Sequence, residues 1–189
     1  MTRYQPVVVL DANVLYPARL RDLFVRLAIA GLYQARWSDR ILDECFASLL
    51  ADRPDISTVR LERTRELMNL AIPDALVTGY EHHVGRLELP DADDRHVLAA
   101  AIAGEASLIV TANLADFPPA ALAKEGIEAT SPDQFVHRLT VDDIEAVAEV
   151  IDQQAAHLRN PPMTTAELLD GLAAVGLMGS VAALRTGQS

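Results

Sequence analysis

The run Val7-Val8-Val9-Leu10 constrains this chain more than any other stretch, because it is short, β-branched and apolar at consecutive positions. Consecutive residues of a strand point to opposite faces, so such a run needs cover on both sides, as in the centre of a parallel sheet flanked by helices. It ends abruptly in Asp11-Ala12-Asn13. Ligands of open α/β sheets sit beyond the carboxyl ends of the strands, so Asp11 stands where chemistry is expected. A turn or helix cap is the competing reading of Asp11 and Asn13.

A second buried strand is expected at Ser107 to Thr111, again ending in polar groups: Thr111, Asn113 and Asp116. Between the two, helical spacing predicts a helix through Leu20, Leu23, Phe24 and Leu27, stopping near Gly31. A short strand follows at Ala35 to Asp39. Another helix starts at Ser38 or Asp39 and buries Ile41, Leu42, Cys45, Phe46 and Leu49. A third helix covers Ile56 to Leu70, and Asp74 to Leu87 reads as irregular helix. A helix from about Arg95 to Gly104 precedes the second buried strand, and a further short strand is expected at Ile127 to Ala129. Strands alternating with helices imply an α/β fold with a central parallel sheet.

Ser131-Pro132-Asp133-Gln134 has the pattern of a capped helix start, as does Thr164 with Glu167; Thr140 is expected to cap a helix carrying Ile144, Val147, Ile151, Ala155 and Leu158. The composition shifts past Leu139, so residues 1–139 read as the α/β domain and 140–189 as a helical C-terminal extension.

The net charge of −11 argues against indiscriminate nucleic-acid binding. Residues 1–40 are nevertheless net positive, with six arginines against Asp11, Asp22 and Asp39. Cys45 has no partner for an internal disulfide, and no apolar run approaches a membrane span or a secretory leader, which suits a cytoplasmic protein. The five histidines have no zinc spacing and read as surface residues.

The sharpest positional argument concerns Asp94. On a helical wheel Val97, Leu98 and Ala101 lie at i+3, i+4 and i+7 from it, so Asp94 shares the stripe that faces the sheet, whereas Asp93 points away. An N-cap role is the alternative. A further acid could come from Asp39, Asp43 or Glu44 near the second strand, and periodicity does not choose among them. Clustered carboxylates without His or Cys suit a hard cation, Mg²⁺ or Mn²⁺.

Leu10-Asp11-Ala12-Asn13-Val14-Leu15-Tyr16, Asp91-Ala92-Asp93-Asp94-Arg95-His96-Val97-Leu98-Ala99-Ala100-Ala101 and Ile109-Val110-Thr111-Ala112-Asn113-Leu114-Ala115-Asp116-Phe117 resemble the PIN-domain proteins, the group that contains VapC-type toxins. The resemblance implies a three-layer α/β/α fold and a Mg²⁺- or Mn²⁺-dependent ribonuclease, often dimeric and restrained by a small antitoxin protein. Carried over by position, it makes Asp11, Glu44, Asp94 and Asp116 the acids that hold the metal. It sets Asn113 where many members carry an acid.

Asn13, Thr111, Arg19 and Arg21 are candidate substrate contacts. The competing class is a PIN-like scaffold with a weakened metal site that acts through protein partners, suggested by Asn113 and the acidic tail. A phosphatase using paired aspartates does not fit Asn13. A phosphate-accepting receiver needs a second acid beside Asp11 and a late lysine, and the only lysine is Lys124.

Overall fold

A computed structural model describes residues 5–187. Its centre is a four-stranded, wholly parallel sheet in the order β2-β1-β3-β4, built from β1 (Val7–Leu10), β2 (Gln34–Arg36), β3 (Leu108–Val110) and β4 (Glu128–Thr130). Val8, Val9 and Leu10 all have 0% exposure, which only a sheet covered on both faces can give. The edge strands carry the exposed Gln34 and Glu128, as edges facing water do. The fold class thus agrees with the expectation drawn from the valine run.

Eleven helices surround the sheet among the described residues, with α1 (Ala12–Leu15), α2 (Ala18–Ile29), α3 (Asp39–Asp52), α4 (Thr58–Ala71) and α5 (Glu81–Val84) preceding α6 (Arg95–Ala103). After β3 come a 3-10 turn at Leu114–Asp116, then α7 (Pro119–Leu122), α8 (Pro132–Asp142), α9 (Ile144–His157), α10 (Thr165–Ala174) and α11 (Met178–Gly187). Among the described residues no helix is long and apolar enough to cross a membrane.

The caps largely follow the sequence. Ser38 accepts from the Ile41 amide to start α3, and Ser131 with Gln134 and Thr164 with Glu167 form reciprocal capping boxes. Thr140 is the exception. It is buried inside α8 and its hydroxyl donates to the Val136 carbonyl at 2.9 Å, so α8 runs on to Asp142 and Asp143 caps α9 through the Ala146 amide. A threonine satisfied by the carbonyl one turn back has no need to end a helix.

The C-terminal helices share one apolar core with the sheet domain. Phe135 of α8 stacks on Phe24 of α2 with ring centres 5.8 Å apart and meets Tyr33 edge-on at 5.0 Å. Asp133 of α8 holds the start of α11: its carboxylate accepts from the Gly179 amide at 2.9 Å, the Ser180 amide at 2.8 Å and the Ser180 hydroxyl at 2.7 Å. Those amides lack partners inside their own helix, and the bonds outweigh burial to hold the Asp133 carboxyl below its usual range. Asp133→Ala is expected to cost about 1–2 kcal/mol, as loss of a helix cap does, read as a fall in the urea midpoint at neutral pH. An unchanged midpoint would mean the bond is not made in solution.

Candidate active site

The carboxyl ends of β1 and β3 lie side by side, and a polar network joins them. Asp11 is 5% exposed. One carboxylate oxygen accepts from the Ala12 amide at 2.7 Å, and the other from the Thr111 hydroxyl at 2.7 Å and the Asn13 side-chain amide at 2.7 Å. The Asn13 carbonyl oxygen accepts from the Ala112 amide at 2.9 Å, and the Thr111 hydroxyl oxygen accepts from the Asn113 amide at 3.0 Å. The Asp11 carboxylate therefore caps α1, as the turn reading required, and also faces a cleft that Glu44 and Asp94 line. Both roles are filled by one side chain.

Glu44 and Asp43 part company on α3. Asp43 pairs with Arg65 of α4, which also holds Asp39, so both of those acids are turned away toward α4. Glu44 instead lines the cleft with Asp11 and Asp94.

Asp94 stands at the first turn of α6 without a side-chain capping bond, so the cap reading of this residue fails. Burial, then the charges of Asp11, Asp116 and Asp91, push its carboxyl up to about 6. The Asp11 carboxyl is raised as well, because burial outweighs the bonds from Thr111 and Ala12. Asp116 sits on the 3-10 turn after β3 and accepts a hydrogen bond from the Asn113 side chain. The acids thus form one mutually repelling cluster at the carboxyl end of the sheet.

The family model described as "PIN domain" matches residues 7–115, which take in β1 to β3 and most of this cluster. The chain belongs to the PIN-domain family. A second family model, described as "VapC50 C-terminal domain", matches residues 132–186. A protein of Mycobacterium tuberculosis (strain ATCC 25618 / H37Rv) named "Putative ribonuclease VapC50" is 41% identical over 80 residues, which cover 42% of this chain and 47% of that protein. The chain thus spans about half the length of this relative. No solved structure matches the chain.

In this PIN-domain protein the two arginines expected to meet substrate are engaged elsewhere. Arg19 lies against α10, where a side chain at Gly171 would meet its guanidinium at 3.0 Å, and it approaches the Met163 sulfur at 3.8 Å. Arg21 donates to the Leu15 carbonyl at 2.7 Å and reaches Cys45 behind the cleft wall. The cation beside the acids is Arg40, 3.2 Å from Glu44 and one turn before it on α3. Cys45 is buried, which pushes its thiol up to about 11 and leaves it inert.

His96 corrects the reading of the histidines as surface groups. It is 1% exposed, and its Nε2 lies 2.9 Å from a Glu44 carboxylate oxygen, a close polar contact along which the ring N–H does not point. Burial alone would raise the Glu44 carboxyl; His96 and Arg40 together hold it below its usual range. Periodicity hid this residue because α6 is buried on every side from His96 to Ala101. A wheel with one buried face does not describe such a helix.

Oxygen-only donors beside repelling carboxylates fit a hard divalent cation. Among the described residues, however, no three His, Cys, Asp or Glu side chains converge into a ready coordinating group. Glu44 is drawn toward His96 and Arg40, and Asp116 toward Asn113.

Thr111 is the test of the network. Thr111→Val keeps the volume but strips a hydroxyl that donates to Asp11 and accepts from Asn13 and Asn113. It is expected to cost about 1–3 kcal/mol, the penalty for leaving buried polar groups unpaired. The measurement is the chemical-denaturation midpoint, and a wild-type value would show that the network does not hold the strands together.

Proposed function

We propose that this PIN-domain protein is a Mg²⁺- or Mn²⁺-dependent endoribonuclease that hydrolyses RNA phosphodiester bonds, the toxin of a type II pair restrained by a small antitoxin and working as a homodimer. The observation that carries the reading is the cluster of Asp11, Glu44, Asp94 and Asp116 beyond the carboxyl ends of β1 and β3, with the Asp94 carboxyl raised by burial and then by its like-charged neighbours. The RNA substrate is drawn from the family resemblance and the ribonuclease relative, and the cytoplasmic setting from the lone buried Cys45.

Asp11, Glu44, Asp94 and Asp116 would hold the cation, with Asn113 as a neutral oxygen donor. The bound cation would supply charge neutralisation at the phosphate and a more acidic water. Asp11 serves as the fixed member, since the Thr111 hydroxyl, the Asn13 amide and the Ala12 amide fix its orientation. Glu44 is oriented by His96 and Arg40, and Arg40 is the cation nearest an incoming phosphate on this wall. These residues all lie within 1–139, proposed as the nuclease domain, with 140–189 as its helical extension.

Incubation of the purified protein with several RNAs, with Mn²⁺ or with chelator, tests the proposal. Cleavage with Mn²⁺ and none with chelator is expected. Equal results in the two arms would remove the metal-dependent reading. The scaffold alternative draws support from the Asn113–Asp116 hydrogen bond, which engages the fourth acid internally. It requires that Mn²⁺ leave the melting temperature of the wild type unchanged.

A further inference from the structure

The cleft does not end at the carboxylates. Beyond Asp11 and Glu44 it continues between α1 and α3 and is lined there by Tyr16, Ser48 and Cys45. Tyr16 follows Ala12 by one helical turn, about 6 Å along the axis. On α3 the residues Arg40, Glu44, Ser48 and Asp52 recur every fourth position, so they make one strip along the same groove. Asp52 closes it: its carboxylate accepts from the Tyr16 hydroxyl at 2.5 Å. That bond raises the Tyr16 phenol above its ordinary range, so the phenol remains protonated at neutral pH.

Tyr16 is therefore a half-buried aromatic ring, tethered by its hydroxyl, one turn away from the acids that face the scissile phosphate in the proposed reaction. The opposite members of this wall are small. Arg53, the basic residue next to Asp52, is paired with Asp55 at 2.7 Å. What such a surface offers a polynucleotide is a π-face and two hydroxyls, with the Asp52 carboxylate taken up by the Tyr16 hydroxyl. Bases of single-stranded RNA are free to stack on aromatic side chains, whereas those of a duplex are already stacked and paired.

We infer that Tyr16 is the stacking platform for an unpaired base next to the bond that is cut; this rests on the ribonuclease reading above. Asp52 accepts from the Tyr16 hydroxyl at the end of the groove without being needed for stacking, and Ser48 supplies a hydroxyl within the same groove for a base edge or the 2′-hydroxyl.

The test compares wild type with Tyr16→Phe, Tyr16→Trp, Tyr16→Leu and Tyr16→Met, on the single-stranded RNA that the wild type cuts fastest with Mn²⁺ and on a fully paired duplex. Binding of the same two RNAs, fluorescein-labelled, is followed by anisotropy with Ca²⁺ replacing Mn²⁺. A stacked base contributes about 1–3 kcal/mol, so the Leu and Met variants should raise KM and Kd for the single strand roughly 5- to 150-fold. Their kcat should change little, and the Phe and Trp variants should stay near wild type. Two non-aromatic replacements keep the comparison open if one fails to fold.

Equal KM and Kd for Phe and Leu variants would overturn the inference, as would equal wild-type affinity for strand and duplex. Tyr16-dependent binding without cleavage would keep the platform and remove the nuclease reading. A wild type that neither binds nor cuts either RNA removes both.

Discussion

Asp94→Asn is expected to lower divalent-dependent RNA cleavage at least a hundredfold while making the metal-free protein more stable. Loss of a side chain that only orients a metal ligand commonly costs about 10- to 100-fold, and Asp94 is proposed as a ligand itself. The stability gain follows from its carboxyl being pushed up to about 6, first by burial and then by Asp11, Asp116 and Asp91. In the unfolded chain an aspartate loses its proton near pH 4. Between pH 4 and 6 the folded protein keeps a proton that the unfolded chain has released, so stability falls as pH rises through that window.

At pH 7 the folded state bears the full cost of the charge, about 1 kcal/mol once solvent screening is allowed for. The Asn variant escapes it and loses no helix cap, because Asp94 makes no capping bond. Its advantage in melting temperature should be present at pH 7 and gone below about pH 4. Mn²⁺ should raise the wild-type melting temperature at pH 7, with the increment shrinking as pH falls through about 6, where protons compete for Asp94. A variant that is both less stable and fully active would remove Asp94 from the site.

The second large effect concerns the C-terminal helices. A chain ending at Asp143 is expected not to fold, and to accumulate as aggregate. Helices α2 and α8 pack against α9, α10 and α11, and the removed segment contributes Val147, Ile151, Leu168, Leu172, Leu177 and Leu184 at 0–2% exposure. Each such side chain is worth about 1.5–3 kcal/mol when buried, and their sum rivals the 5–15 kcal/mol that holds a whole domain together. The truncation also removes the Gln154 bond to the Arg19 carbonyl, 3.0 Å, and opens an apolar face on α2 and α8 of the kind that drives association. A soluble product that unfolds cooperatively near the wild-type midpoint would show that the sheet domain stands alone.

The sequence made legible whatever depended on local spacing. The valine run identified the central strand, and two capping boxes marked two helix starts. It was silent where a distant partner decides. Asp43 and Glu44 lie at similar angles from the α3 stripe, and what separates them is Arg65, 22 residues on, which holds Asp43 outward. Arg19 and Arg21 looked like phosphate contacts because only their proximity to Asp11 in sequence was visible. Arg19 instead packs on Gly171 of α10, a tertiary contact, and Arg21 turns back onto the Leu15 carbonyl six residues before it. The family resemblance chose Glu44; in the structure Glu44 lines the cleft with Asp11 and Asp94, and Asp43 pairs with Arg65.

The bond between Asp11 and Thr111 joins residues 100 apart in sequence. Neither strand end has its geometry before β1 and β3 have paired, and parallel pairings of such separation are slow to form because loop closure precedes any reward. A growing or refolding chain therefore spends its early life with helices but no cleft, and gains the cleft abruptly when β3 docks. In stopped-flow refolding, the helical signal should lead and recovery of Mn²⁺ binding should lag behind it. The topology of the sheet thus sets when the cleft can first exist.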